Sequence, residues 1–93
     1  MIRTFGDKDT EAIFNGNRSS RLPPSIQNTA RRKLRLIAAA VGIDDLRVPH
    51  GNRLEKLSGN LSAYYSIRIN DQWRIVFQFE NKGADNVRIT DYH

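Results

Sequence analysis

Partway along this chain the spacing of apolar residues switches from helical to alternating, and that switch confines the fold more than any other feature of the sequence. Ile26, Ala30, Leu34, Ile37 and Val41 recur at intervals of four, four, three and four, which lays them along one face of a helix. From residue 64 onward the period falls to two, the signature of strands with one face buried. A helix stripe and an alternating sheet each need a surface to bury against, and each supplies it to the other. With 93 residues there is enough chain for one core and too little for two. The expectation is an α+β fold, a single domain over residues 1–93 in which two N-terminal helices pack on one face of a twisted antiparallel sheet.

Local signals fill in this outline. Residues 2–5 alternate as a short opening strand would, and Asp7 stands as an N-cap before a short helix over residues 8–14, stopped near Gly16. Residues 15–24 are rich in Asn, Gly, Ser and Pro and read as a loop, with Pro24 suited to the first turn of the long helix over residues 25–41. Gly42 ends that helix, and residues 44–52 form a second loop. Strands are expected over residues 53–57, 64–69, 73–79 and 86–92, with Asn70-Asp71 and Asn81-Lys82-Gly83 as the hairpin turns between the last three.

The parity of these strands sorts residues onto two faces. Tyr65, Ile67, Ile69, Trp73, Ile75, Phe77, Phe79, Val87 and Ile89 share the core side, which makes Trp73 a core anchor rather than a stacking surface. Tyr64, Ser66, Arg68, Arg74, Val76, Gln78, Arg88, Thr90 and Tyr92 share the other. By itself that second set describes the wet side of a half-buried sheet, where Arg and Thr are common. It also describes an RNA platform, because guanidinium forks bind phosphate and tyrosines stack on unpaired bases. Arg31, Arg32, Lys33 and Arg35 on the long helix extend the positive field.

Fifteen Lys and Arg against ten Asp and Glu give a net charge of +5, which favours an anionic partner such as nucleic acid, a headgroup surface or an acidic protein. The absence of cysteine excludes disulfides, thiolate metal sites and cysteine nucleophiles. The N-terminus lacks the apolar run of a signal peptide, and residues 36–43 are too short to span a bilayer, so a cytoplasmic location is expected. No P-loop, dinucleotide-binding loop or HExxH occurs. Asp7, Asp9 and Glu11 read as first-turn residues complementing the helix dipole rather than as metal ligands. No cofactor and no metal are expected.

What remains for chemistry is the end of the chain, Asp91-Tyr92-His93. Metal-free RNA cleavage needs a base for the ribose 2′-OH, cations for the charge developing on phosphorus, and an acid for the 5′ leaving oxygen. His93 and Asp91 are suited to proton transfer, and Arg68 or Arg74 to clamping the phosphate. Strict alternation sets Asp91 and His93 on one side of the strand and Tyr92 on the other.

At these residues the chain resembles a known family. Ser66-Ile67-Arg68-Ile69-Asn70-Asp71-Gln72-Trp73-Arg74-Ile75, preceded by Gly51-Asn52-Arg53-Leu54-Glu55 and closed by Asp91-Tyr92-His93, is similar to HigB toxins of the RelE/ParE superfamily. The likeness runs the length of the chain and is densest in its second half. It implies a RelE-like fold and the toxin role in a type II toxin–antitoxin pair, acting as a metal-free, ribosome-dependent mRNA endonuclease at the decoding site. It also implies inhibition by a HigA-like helix-turn-helix antitoxin. By motif position, Arg74 becomes the phosphate-binding arginine, and Asp91, Tyr92 and His93 the catalytic or RNA-positioning end, with Arg68 added from its place on the sheet. Arg53, Lys56, Tyr64, Arg88, Arg32 and Arg35 are the further candidate RNA contacts.

One departure stands out: Glu55 and Ser58 occupy positions where well-known relatives carry a histidine and a lysine, with Lys56 and His50 as the nearby substitutes. Two other readings of the same residues stay open, a non-enzymatic ParE-like inhibitor of gyrase and a basic RNA- or ribosome-binding module without chemistry.

Overall fold

The structure is a computed structural model that describes residues 1–91. Helix α1 spans Lys8–Phe14 and α2 spans Pro24–Ala39, followed by single 3-10 turns at Ile43–Arg47 and His50–Asn52. Strand β1 is Glu55–Lys56, and after a third turn at Gly59–Leu61 come β2 (Tyr64–Arg68), β3 (Trp73–Glu80) and β4 (Gly83–Asp91). The sheet is an antiparallel meander in the order β1-β2-β3-β4. Both helices pack against β4. The expected α+β arrangement is the observed one.

The helices start for the expected reasons. Asp7 caps α1, its Oδ1 accepting from the Thr10 N–H at 2.7 Å. Asp9 accepts from Ser19 Oγ at 2.7 Å, so these acids are spent on local structure. The first turn of α2 is opened by Pro24, and buried Gln27 ties the preceding loop by donating to Ser19 O at 2.8 Å and Leu22 O at 2.9 Å. The core joins Ile13, Ile26, Ala30, Leu34 and Ile37 to Ile67, Ile75, Phe77, Val87 and Ile89. Trp73 lies partly buried against it.

Several expectations are corrected. Residues 2–5 do not form a strand: they contact β4 through isolated parallel bridges, Ile2 with Ala84 and Phe5 with Val87. Helix α2 ends at Ala39, so Val41 leaves the stripe and is 61% exposed. Strand β4 begins at Gly83, earlier than alternation indicated, because a bulge at Asn86-Val87 shifts its register between Val76 and Gln78 of β3. Asn86 takes a left-handed conformation there (φ 53°). The β3–β4 turn uses Asn81 (φ 51°) and Lys82 (φ 65°), the left-handed pair of a tight hairpin, which returns Gly83 to the strand. A side chain at Gly83 would collide with the Arg3 guanidinium, which donates to Glu80 O and Asp85 Oδ2, both at 2.9 Å.

Candidate active site

Strand register sets the arginine face. Arg68 on β2 lies opposite Arg74 on β3, and Arg74 opposite Thr90 on β4. In the next row Ser66 faces Val76, and Val76 faces Arg88. The Arg88 guanidinium reaches toward Tyr64, its carbon 5.9 Å from the ring centroid. Expectation and structure agree on this grouping of Arg68, Arg74, Arg88 and Tyr64.

The middle of this face is not wet, however. Ser66 is fully buried, Val76 nearly so, and Arg74 is 8% exposed. The guanidinium of Arg74 donates to Ser66 Oγ at 2.8 Å and to the carbonyl of Arg53 at 2.6 Å, and it stands 3.9 Å from Glu55. A guanidinium held this way is an oriented cation rather than a swinging one. Glu55 pairs with Ser66 across β1–β2 and so brings an acid beside Arg74. Beside Arg74, among the described residues, Thr90 Oγ1 is buried without a hydrogen-bond partner. Arg68 is one-third exposed and pairs with Asp71 at 2.6 Å, an exposed contact within the turn that contributes little to stability.

Not every candidate converges here. Lys56 lies opposite Tyr65, on the other side of the sheet, with its ammonium 4.9 Å from that ring and bonded to Ser62 O at 2.8 Å. Asp91 lies opposite Trp73 and accepts from Gln72 at 3.1 Å, so its register sets it on the other side from Thr90 and Arg74. Arg32 and Arg35 are exposed on α2, while Arg31 is drawn back onto α1 and the loop after it by bonds to Ile13 O (2.8 Å) and Asn17 O (3.0 Å). Tyr92 and His93 lie outside the described residues.

A polar link that sequence reasoning missed supports the face from behind. Lys33, 7% exposed, donates to the side-chain oxygen of fully buried Asn52. Asn52 donates in turn to Leu46 O at 3.2 Å and Val48 O at 3.4 Å. Burial, and then the neighbouring charges of Arg32 and Arg68, push the Lys33 ammonium below its usual pKa. The signal was present: position 33 is three residues after Ala30 and four before Ile37, on the core stripe itself. The segment through Asn52 thus runs from α2 to the arginine face, where the Arg53 carbonyl meets Arg74. Arg53 adopts a left-handed conformation (φ 43°), and with Arg47, His50 and Leu54 it lines an open cleft of about 270 Å³.

Known proteins share both the sequence and the fold. Toxin HigB-1 of Vibrio cholerae is 42% identical over 93 residues, spanning 99% of this chain and 94% of that protein. Endoribonuclease HigB of Proteus vulgaris is 31% identical over the whole of both chains. Among solved structures, YafQ from E. coli strain BL21(DE3) superposes with a TM-score of 0.64 over 98% of this chain and 93% of its own, at 10% identity. The YoeB–YefM complex from Staphylococcus aureus contains a chain that matches with a TM-score of 0.59 at 18% identity, covering 100% of this chain and 98% of that one. These two likenesses bear on the fold, which they share with the two helices and four-stranded sheet described above. A family profile described as the RelE-like toxin of the type II toxin–antitoxin system HigB matches residues 3–93. Matched along nearly its whole length by that profile and by a 42% identical HigB toxin, the chain belongs to the HigB-like family of RelE-like toxins of type II toxin–antitoxin systems.

Proposed function

We propose that this toxin is a ribosome-dependent endoribonuclease that cuts mRNA during translation, at the decoding site, without a metal ion. The observation that carries the reading is the juxtaposition of Arg68 and Arg74 across β2 and β3, with Arg88 and Tyr64 on the same side. Two guanidiniums, one of them rigidly oriented, stabilise charge developing on a phosphoryl oxygen, and a tyrosine beside them offers a stacking surface for an unpaired base. A relative named as an endoribonuclease and aligned over both full chains favours cutting over inhibition by contact alone.

In this scheme Arg74 holds the scissile phosphate and Arg68 the charge beside it. Asp91, the last residue of β4, and Tyr92 and His93 after it in the chain supply the acid–base and positioning groups, His93 exchanging a proton with the 2′-OH or the leaving oxygen. Asp91 contributes from the end of the strand, on the side opposite Arg74, where Gln72 orients its carboxylate. Arg53, Arg88, Arg32 and Arg35 contact flanking RNA phosphates. A HigA-like antitoxin with a helix-turn-helix domain is the partner that restrains the toxin.

The test is to add purified protein to a bacterial translation extract and map mRNA 5′ ends by primer extension, with His93→Ala and ribosome-free mRNA alongside. New ends that need translation and disappear in His93→Ala are the expected result. Intact message in the presence of folded wild-type protein would overturn the reading.

A further inference from the structure

We infer that the cleft lined by Arg47, His50 and Arg53 is a second phosphodiester subsite, taking an RNA backbone phosphate next to the one held at Arg74. The inference rests on the RNA-acting reading above, but not on cleavage.

The cleft is about 270 Å³, open to solvent, and every ionisable side chain lining it is basic or an imidazole. Nearby acids do not close it. Asp44 accepts from Arg47 Nε at 2.8 Å, but both side chains are mostly exposed (65% and 80%), and such a pair yields readily to a competing anion. The terminal guanidinium nitrogens of Arg47 have no partner among the described residues. Glu55 points instead to Arg74. The result is a concave site with forked donors and a ring nitrogen, a combination suited to the doubly oxygenated face of a phosphodiester.

The scaffold beneath the cleft is more heavily braced than a surface loop requires. Asn52 gathers the carbonyls of Leu46 and Val48 onto a buried ammonium, Lys33, whose desolvation is unfavourable without a carboxylate partner. Arg53 is held in a left-handed conformation that is strained for a residue with a side chain. These contacts hold the 3-10 turns that carry Arg47 and His50 in fixed relation to α2. Arg53 then joins the cleft to the reaction face: the residue lines the cleft, and its carbonyl accepts from Arg74 at 2.6 Å. A strand of RNA with one phosphate at Arg74 is therefore led across Arg53 into the cleft.

The test measures binding of a 2′-O-methylated single-stranded RNA oligonucleotide, which cannot be cut, as a function of salt. The proteins are wild type, Arg47→Gln, the double variant Arg47→Gln/His50→Gln, and Lys8→Gln, which removes the same charge as Arg47→Gln from exposed α1. Thermal unfolding confirms that each is folded. Arg47→Gln is expected to shallow the slope of log affinity against log salt by about 0.7, one phosphate contact on a single strand. The double variant is expected to bind roughly tenfold more weakly, and Lys8→Gln to match wild type. Equal losses in Arg47→Gln and Lys8→Gln would reduce the effect to net charge and overturn the subsite, as would unchanged binding in the double variant. Wild type that shows this pattern yet never cuts mRNA would remove the endonuclease reading and leave the subsite standing.

Discussion

At the scale of single residues, Arg74 combines two demands that usually separate. It is nearly buried and supplies hydrogen bonds that hold Ser66 and the Arg53 carbonyl together, yet it is also the proposed anion holder. Losing it removes charge-assisted bonds and leaves a buried hydroxyl and carbonyl short of donors. Arg74→Ala is therefore expected to destabilise the fold by about 2–4 kcal/mol, read from the urea midpoint. A milder variant separates the two roles. Ser66→Ala, which keeps the bond to the Arg53 carbonyl, is expected to lower stability by only about 1 kcal/mol while slowing mRNA cleavage, because the guanidinium loses one of the bonds that orient it. Cleavage at the wild-type rate in folded Ser66→Ala would show that this orientation is not needed.

Between elements, two small polar contacts decide how the helices sit on the sheet. Thr10 of α1, fully buried, accepts the Ile89 N–H through Oγ1 at 2.8 Å and so satisfies the outer edge of β4. Thr10→Val keeps the shape and orphans that N–H, an expected loss of about 1–3 kcal/mol. Thr10→Ser should retain most of the stability, and equal denaturation midpoints for all the proteins would deny the bond any importance. The second contact joins α2 to the loop through Lys33 and Asn52. Because the folded state lowers the Lys33 pKa below its ordinary 10.5, the unfolded chain binds the proton more tightly. Stability tied to this group therefore rises as pH climbs from the folded pKa toward 10.5, and the burial penalty is present in full below that window. Measured against Lys33→Met, wild type should gain relative stability across that alkaline range. A difference that stays flat with pH would show that burial does not perturb the ammonium.

For the whole molecule, the meander brings Asp91 opposite Trp73 and next to the strand that carries Arg74, so the end of β4 and the Arg68–Arg74 pair lie at one end of the sheet. The N-terminus is tied at the other end, where Ala84 N–H donates to Met1 O at 2.8 Å, close to the β3–β4 turn. A C-terminal fusion therefore crowds the proposed reaction end, whereas an N-terminal one does not. Growth arrest on induction is expected to weaken more with the C-terminal fusion. Equal arrest by the two, at equal protein levels, would count against the terminus as the reaction centre.

The sequence by itself determined the layering, most element positions and the membership of the arginine row. Periods of 3.6 and 2 are local properties of the chain, and each assigns a side chain to a face without reference to the rest of the molecule. Arg68, Arg74, Arg88 and Tyr64 were therefore readable in advance. Tertiary structure decided what alternation does not encode. A bulge at Asn86 lets β4 start three residues early, and the isolated bridges made by Ile2 and Phe5 depend on where β4 comes to lie. Whether a face is wet depends on what crosses it, and here the segment through Arg53 covers Arg74. Lys33 and Asn52 are nineteen residues apart and belong to different local patterns, so only the folded chain reveals their bond. Polar contacts between distant segments follow from three-dimensional proximity, and periodicity in one dimension carries no information about them.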